Sequence, residues 1–250
     1  MAAPLRGVTK WPFGARRSQA SRPLVVALDM DECLIHSKSF SSSSDSFRQE
    51  EASRAAGTTS NGVSSFRLTF ADSVSCTVLM RPGLDEFLKE CCSRWTTYVI
   101  TAGTQEYAEP LLDKLDPAGN IAGRFYRHDC RRVRTSYGEQ FLKDLSTILT
   151  HHGRDEDDLS RIVLVDNNPV SFVCQPDNGI PVPDFVGKAD DMLARVLKVL
   201  ARVDAEDDVR PVLKGMFGVD KVTSELRRQL CIPDDFRQGF ASERLRPSKL

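Results

Sequence analysis

No stretch of this 250-residue chain approaches the roughly 18 consecutive apolar side chains that a membrane-spanning helix requires, so a membrane span is not expected. A charge imbalance is missing too. The 34 Lys and Arg offset the 35 Asp and Glu to leave a formal net charge of -1, and direct nucleic-acid binding, which usually brings a strongly basic domain, is not expected. The seven cysteines include no CxxC pair; their odd number and their placement largely inside apolar runs suit reduced, buried thiols rather than a disulfide framework. Acidic residues are absent from Met1 to Pro23, which holds Arg6, Lys10, Arg16, Arg17 and Arg22. That stretch (1–23) reads as a basic, disordered tail; the same composition is shared by mitochondrial transit peptides, although Pro4, Pro12 and Gly14 interrupt any amphipathic helix. With 40% apolar residues, the chain can bury one substantial core, or one core with a long insertion. The oligomeric state is not legible in these features.

What the chain does have is Leu24 to His36, LVVALDMDECLIH. Five apolar residues, rich in valine, suit a strand covered on both faces. Two acids, Asp29 and Asp31, follow at its carboxyl end, and side chains two apart on an extended chain point the same way. A second apolar run, Thr96 to Ile100, ends in Thr101-Ala102-Gly103, and a third, Arg161 to Val165, ends in Asp166-Asn167-Asn168-Pro169. In open parallel sheets, ligands bind at that edge.

The rest of the chain fills in around those strands. Ser37 to Ser65 carries eleven serines in 29 residues and is expected to be a disordered insertion (37–65), with a β-hairpin (66–80) after it. Helices are expected from about Leu84 to Ser93, introduced by Arg81-Pro82-Gly83, and from about Gln105 to Leu115, where Tyr107, Leu111 and Leu115 make a buried stripe. Arg127, His128, Arg131, Arg132 and Arg134 crowd into eight residues, either as a solvated face or as an anion or phosphopeptide site. A helical segment runs from FLKDL to about His151, with His151 and His152 at the surface; Pro176 to Phe185 is a loop, and Ala189 to Val203 and Val209 to Phe217 are helices. The expected organisation is an α/β domain over 24–203 followed by a helical extension and tail, 204–250.

A carboxylate can attack phosphorus and split one hard displacement into two easier ones, provided a cation offsets its repulsion from a phosphate dianion. Asp29 and the Asp166-Asn167 turn offer hard oxygen ligands of the kind Mg²⁺ takes. Asp31 fits a proton donor to an alkoxide leaving group, and then a base for water. The Thr101 hydroxyl and backbone N–H groups near it, such as that of Ala102, suit phosphate oxygens, and Lys143 suits the charge of an intermediate. Taken singly, each is commonplace: Asp-x-Asp a turn, Thr101 a helix cap, Lys143 a surface charge on a helix, Arg134 solvated. Their order and their placement at strand ends give them weight together.

DMDECLIHS, ITAGTQEYAEPLLDKLD, FLKDLS and VLVDNNP resemble, in that order, the four motifs of the haloacid dehalogenase superfamily. More closely, and with VLMRPGLDEFL included, they resemble the small phosphatases of the NLI-interacting-factor type that act on the C-terminal domain of RNA polymerase II. The resemblance implies a Rossmann-like parallel sheet flanked by helices, with a β-hairpin insertion and no large cap domain. It also implies Asp29 as nucleophile and Asp31 as acid and base, with Mg²⁺ held by the Asp29 carboxylate, the Asp31 backbone carbonyl and Asn167, and Asp166 close by. Thr101, Lys143 and Arg134 would contact phosphate. The implied activity is a Mg²⁺-dependent phosphoserine or phosphothreonine phosphatase acting on a phosphorylated protein or peptide, nuclear or cytoplasmic.

Three departures stand out. Cys33 replaces the Thr or Val usual in the first motif, GEQFL lengthens the stretch between Tyr137 and Lys143, and the serine-rich insertion lengthens the segment before a hairpin that in relatives helps recognise substrate. Two other readings use the same fold: an interaction module like the import receptor subunit of the mitochondrial inner membrane, and a small-molecule phosphatase, which in many cases carries a large cap.

Overall fold

An apolar run with no polar interruption can be buried on both sides only if helices cover both faces of its sheet. The computed structural model, which describes residues 22–40, 62–70, 75–155 and 158–232, has that arrangement. β1 (Val25–Leu28) lies at the centre of a five-stranded sheet with β5 (Thr96–Ile100), β6 (Gly123–Phe125), β9 (Ile162–Asp166) and β10 (Gly179–Pro181), in the order β10-β9-β1-β5-β6. All its pairings are parallel, with Val25 beside Thr96 on one edge and beside Ile162 on the other. Val26 and Leu28 enter one core with Val99, Val163 and Val165, while Val25 and Ala27 enter a second with Ile100, Ile162 and Leu164. The fold is therefore α/β, a parallel sheet flanked by helices.

The helices follow their sequence signals. α1 (Leu84–Arg94) starts at Gly83, whose φ of 77° is left-handed and favours glycine; it buries Leu84, Phe87, Leu88 and Cys91 and places Asp85 and Glu86 in the first turn. α2 (Gln105–Leu115) buries Ala108, Leu111, Leu112 and Leu115. α3 (Leu145–His151) is capped by Asp144, which accepts from Ser146 N at 3.1 Å. α4 (Met192–Val203) and α5 (Val209–Phe217) were expected, and α6 (Val219–Gln229) adds a helix that the sequence reading passed over. Val203, Val209 and Leu213 share one core with β1, so packing continues across residue 203.

Between β1 and α1 stands a three-stranded antiparallel sheet of β2 (Ile35–Phe40), β3 (Ser65–Thr69) and β4 (Ser75–Met80), in the order β2-β4-β3. The expected hairpin pairs Phe66 with Val78. β2 takes the first residues of the stretch expected to be disordered, pairing Ser37 with Val78; residues 41–61 of that stretch and the tip at 71–74 lie outside the described residues, as do 1–21 of the basic tail. Arg81 ties this sheet's base to the core. Only 1% exposed, it donates to Cys33 O at 2.8 Å, to Pro183 O at 3.1 Å and to the Asp190 carboxylate at 2.8 Å.

Four local expectations are corrected. Arg131 to Leu142 is a hairpin, β7 (Arg131–Thr135) against β8 (Gly138–Leu142), with GEQFL as its second strand. Lys143 precedes α3 and is 2% exposed, so it is not a surface charge on a helix. His152 is partly buried, its Nδ1 2.9 Å from the Tyr98 hydroxyl. The Pro176 to Phe185 segment contains β10, an edge strand in which Pro181 is tolerated. The described cysteines are all free; Cys33, Cys76, Cys91, Cys130 and Cys174 are buried and Cys231 is exposed.

Candidate active site

The centre of the site is set by two strands ending side by side. Asp29 follows β1, and its N–H donates to Val165 O at 2.9 Å, which fixes it beside Asp166 at the end of β9. Asp166 is fully buried and Asp29 is 6% exposed. Lys143, reaching in from the end of β8, bonds Asp29 Oδ1 and sits 2.5 Å from Asp166 Oδ2. Asp166 Oδ1 accepts from Asn168 N at 2.7 Å, which closes the turn. Two carboxylates thus share one ammonium in a dry pocket. Burial raises the Asp29 carboxyl well above the usual carboxylate range, helped by Asp166, while Lys143 pulls it down. Burial would lower Lys143, but Asp166 and Asp29 outweigh it and hold the ammonium charged.

Asp31 has a different environment. Its Oδ1 accepts from the Tyr107 hydroxyl at 2.6 Å and its Oδ2 lies 3.5 Å from Thr101 Oγ. Burial raises its carboxyl, and the Tyr107 bond moderates the rise. Thr101 stands at the end of β5, its N–H donating to Phe125 O at 3.0 Å and its Oγ accepting from Gly103 N at 2.9 Å. Ala102 N–H has no acceptor among the described residues, and Ala102 O accepts from Arg127 Nε at 2.6 Å. A Cβ on Gly103 would stand 3.1 Å from the Tyr107 ring and 3.2 Å from Thr101 Oγ, so the turn has little room for another residue there. These features leave the Ala102 N–H, and a Thr101 hydroxyl held only by the long 3.5 Å contact to Asp31, for an anion beside Asp29 and Asp31.

Asn167 Nδ2 donates to Asp184 Oδ1 at 2.9 Å, and its Oδ1 is buried with no hydrogen-bond donor among the described residues. A carboxylate only accepts, so Asp184 fixes which end of the amide is the free oxygen. An orphaned buried acceptor costs about 1–3 kcal/mol unless a cation or water meets it. Among the described residues no three His, Cys, Asp or Glu side chains form a ready metal cage, so an ion here would need the Asn167 oxygen and a backbone carbonyl as well as carboxylate. That donor set, hard oxygens with one or two carboxylates, suits Mg²⁺.

The structure therefore gathers Asp29, Lys143 and Asp166, and beside them Asp31 and Thr101. Arg134 is exposed on β7 and forms no hydrogen bond or ion pair with any of these residues. Sequence reasoning passed over Tyr107, taken only as core, and Asp184, in what read as a loop. Tyr107 lies on the ITAGTQEY motif, six residues after Thr101, and that spacing was the available signal; Asp184 had none.

The family of NLI interacting factor-like phosphatases matches residues 24–210, which include every residue of this site. The Homo sapiens carboxy-terminal domain RNA polymerase II polypeptide A small phosphatase 1 is 31% identical over 216 residues, which cover 85% of this chain and 72% of that protein. Nuclear envelope morphology protein 1 of Schizosaccharomyces pombe is 31% identical over 82% of this chain and 38% of its own length. The Homo sapiens CTD small phosphatase-like protein is 34% identical over 54% of this chain and 46% of its own. The chain thus spans less than half the length of the latter two relatives.

Proposed function

We propose that this chain, which belongs to the NLI interacting factor-like phosphatase family, is a Mg²⁺-dependent phosphoprotein phosphatase that hydrolyses phosphoserine or phosphothreonine through an aspartyl-phosphate. The observation that carries the reading is the unequal surroundings of the two acids after β1: Asp29 against Lys143 and Asp166, Asp31 held by Tyr107. On this reading Asp29 reacts and Asp31 moves a proton.

Mg²⁺, held by the Asp29 carboxylate, the Asp31 backbone carbonyl and Asn167 with Asp166 close by, would offset the repulsion between a carboxylate and a phosphate dianion. Asp29 attacks phosphorus, forming one O–P bond as the bond to the seryl oxygen breaks. That oxygen leaves as a poor alkoxide unless protonated, and Asp31, its carboxyl raised by burial, delivers the proton. Tyr107 donates to Asp31 Oδ1 at 2.6 Å whereas Thr101 Oγ stands 3.5 Å from Oδ2, so Oδ2, the more weakly held oxygen, is the one that would carry the proton. Asp31 then takes a proton from the water that attacks the aspartyl-phosphate, releasing inorganic phosphate and regenerating Asp29. Thr101 Oγ and Ala102 N–H hold phosphate oxygens, and Lys143 balances charge at Asp29 throughout.

An extended peptide is the favoured substrate, because the described additions to the core sheet are the small sheet β2-β4-β3 and the hairpin β7-β8 rather than a large cap. The C-terminal domain of RNA polymerase II is the substrate that the relatives' names suggest, and a nuclear or cytoplasmic setting goes with it. These relatives lend no support to the mitochondrial receptor reading. No helix among the described residues is long and apolar enough to cross a membrane.

The test is to incubate wild type and Asp29→Asn with Mg²⁺ and a phosphoserine peptide, quench in acid, and assay for hydroxylamine-labile protein-bound phosphate. Wild type should carry it and the variant should not. An Asp29→Asn protein that cleaved para-nitrophenyl phosphate at the wild-type rate would end the proposal.

A further inference from the structure

The basic cluster of residues 127–134 has no part in that chemistry, yet its contacts connect it physically to the phosphate-side turn. Arg127 Nε donates to Ala102 O at 2.6 Å, and its guanidinium lies 5.0 Å over the Phe141 ring on β8. Phe141 pairs directly with Arg132 on β7, so their side chains share one face of the hairpin. Two residues on, Arg134 shares that face opposite Glu139. Arg127, Arg132 and Arg134 are all exposed. The other face of β7 carries Arg131, buried and 3.4 Å from Asp144, so the alternation separates a structural arginine from two that face water. The result is a row of guanidinium groups that begins beside Ala102 and runs out along the hairpin.

We propose that this face docks an acidic segment, rich in Asp or Glu, that flanks the phosphorylated residue in the substrate polypeptide. The proposal rests on the phosphatase reading for the location of the phosphorylated residue, and charge complementarity commits it to this partner. Arg132 already takes a carboxylate from within the chain, its Nη1 3.3 Å from Glu139 Oε1 in a pair whose side chains are 69% and 50% exposed. A pair so open to water is weak and readily exchanged for an incoming carboxylate. Single-stranded nucleic acid binding usually adds aromatic faces on which bases stack. Here Arg127 covers the Phe141 ring, which leaves Tyr137 at the hairpin turn, 77% exposed, as the aromatic an RNA could use, and the RNA arm of the test separates that occupant from a peptide. The chain's net charge of -1 makes the row a local feature rather than part of a basic surface. Guanidinium forks suit carboxylates, and such exposed contacts act mainly on association and discrimination between partners.

Three phosphoserine peptides, flanked by glutamates, alanines or lysines, test this by kcat/KM and its salt dependence. Wild type should favour the glutamate peptide, through KM, by about 10-fold at low salt, with the preference shrinking as salt rises. Arg132→Glu should lose about 10-fold on the glutamate peptide, gain on the lysine peptide, and leave the alanine peptide and para-nitrophenyl phosphate unchanged. Glu139→Gln, which removes the competing carboxylate, should strengthen the glutamate preference. Equal losses on all three peptides, or a wild type indifferent to the flanks, would overturn the proposal; so would Arg132→Glu abolishing binding of a single-stranded RNA while leaving the peptide ranking intact. Binding of the same peptides to the Asp29→Asn protein, read by fluorescence anisotropy, ranks the flanks without turnover. If no peptide is hydrolysed but the anisotropy ranking holds, the phosphatase reading fails and the docking face stands.

Discussion

The Tyr107 hydroxyl and Asp31 Oδ1 are 2.6 Å apart, and the bond makes the two oxygens of one carboxylate inequivalent. Tyr107 is a committed donor: burial and the neighbouring Asp31 both push its phenol above the usual range. The ring also lies 5.9 Å from Phe70, at the end of β3, so the tyrosine touches both the acid and the inserted sheet.

Removing that donor should matter only where a proton is needed. Tyr107→Phe keeps the ring and its packing. It should lower kcat on a phosphoserine peptide about 10-fold, the loss expected for one hydrogen bond to a charged group. In the formation of the aspartyl-phosphate, para-nitrophenyl phosphate, whose leaving group departs without a proton, should change far less, while the later attack of water is common to both substrates. Comparable losses on both substrates in single-turnover measurements of Asp29 phosphorylation would show that Tyr107 supports the fold of the site and not the proton.

Asp184 controls the Asn167 amide without belonging to the set of oxygens an ion would meet. Asp184→Ala frees the amide to rotate, and partners of this outer kind are typically worth about 10- to 100-fold in metal affinity. The expected outcome is a Mg²⁺ dissociation constant raised at least about 10-fold by isothermal calorimetry, with the metal-free melting temperature little changed. An unaltered dissociation constant would remove Asp184 from the account.

Asp29, Asp166 and Lys143 leave an excess negative charge buried in the metal-free protein. Asp29 therefore takes up a proton more readily folded than unfolded. Between the ordinary carboxylate pKa and the raised one, the folded state binds more protons, so this group's contribution is fully present at acid pH and is lost as pH rises toward neutrality. Asp29→Asn leaves Lys143 and Asp166 as a balanced pair. Without Mg²⁺, the variant should melt higher than wild type near neutral pH, by about 2–4 °C for each kcal/mol relieved, and its melting temperature should depend less on pH. Thermal melts across pH 4 to 8 in EDTA check this; a variant that melts lower than wild type at neutral pH refutes it.

The sequence made the strand ends legible because burial on both faces forces an unbroken apolar run, and the acids that follow such a run have nowhere to go but the sheet's edge. Asp29, Thr101 and Asp166 were found that way. β7 was not, because its buried face is led by an arginine: Arg131 packs beside Asp144, a pairing that reads as charge in the sequence and as interior in the structure. β10 was hidden by Pro181, which an edge strand accepts and a central one does not. Tyr107 fitted the apolar stripe of α2 so well that its hydroxyl was overlooked. Asp184 acts through an amide that is its neighbour only in space.

The place of β1 in the sheet bears on how the protein comes into being. It is the first strand of the described core, yet its neighbours on either side, β5 and β9, are encoded far downstream, and β9 brings Asp166. Parallel pairings at such sequence separation form slowly. A nascent chain therefore carries its two acids without the strand that completes their pocket until β9 has been made. On the proposed function, chemistry at Asp29 would be available only to a chain whose central sheet has closed, and turnover would report on that closure.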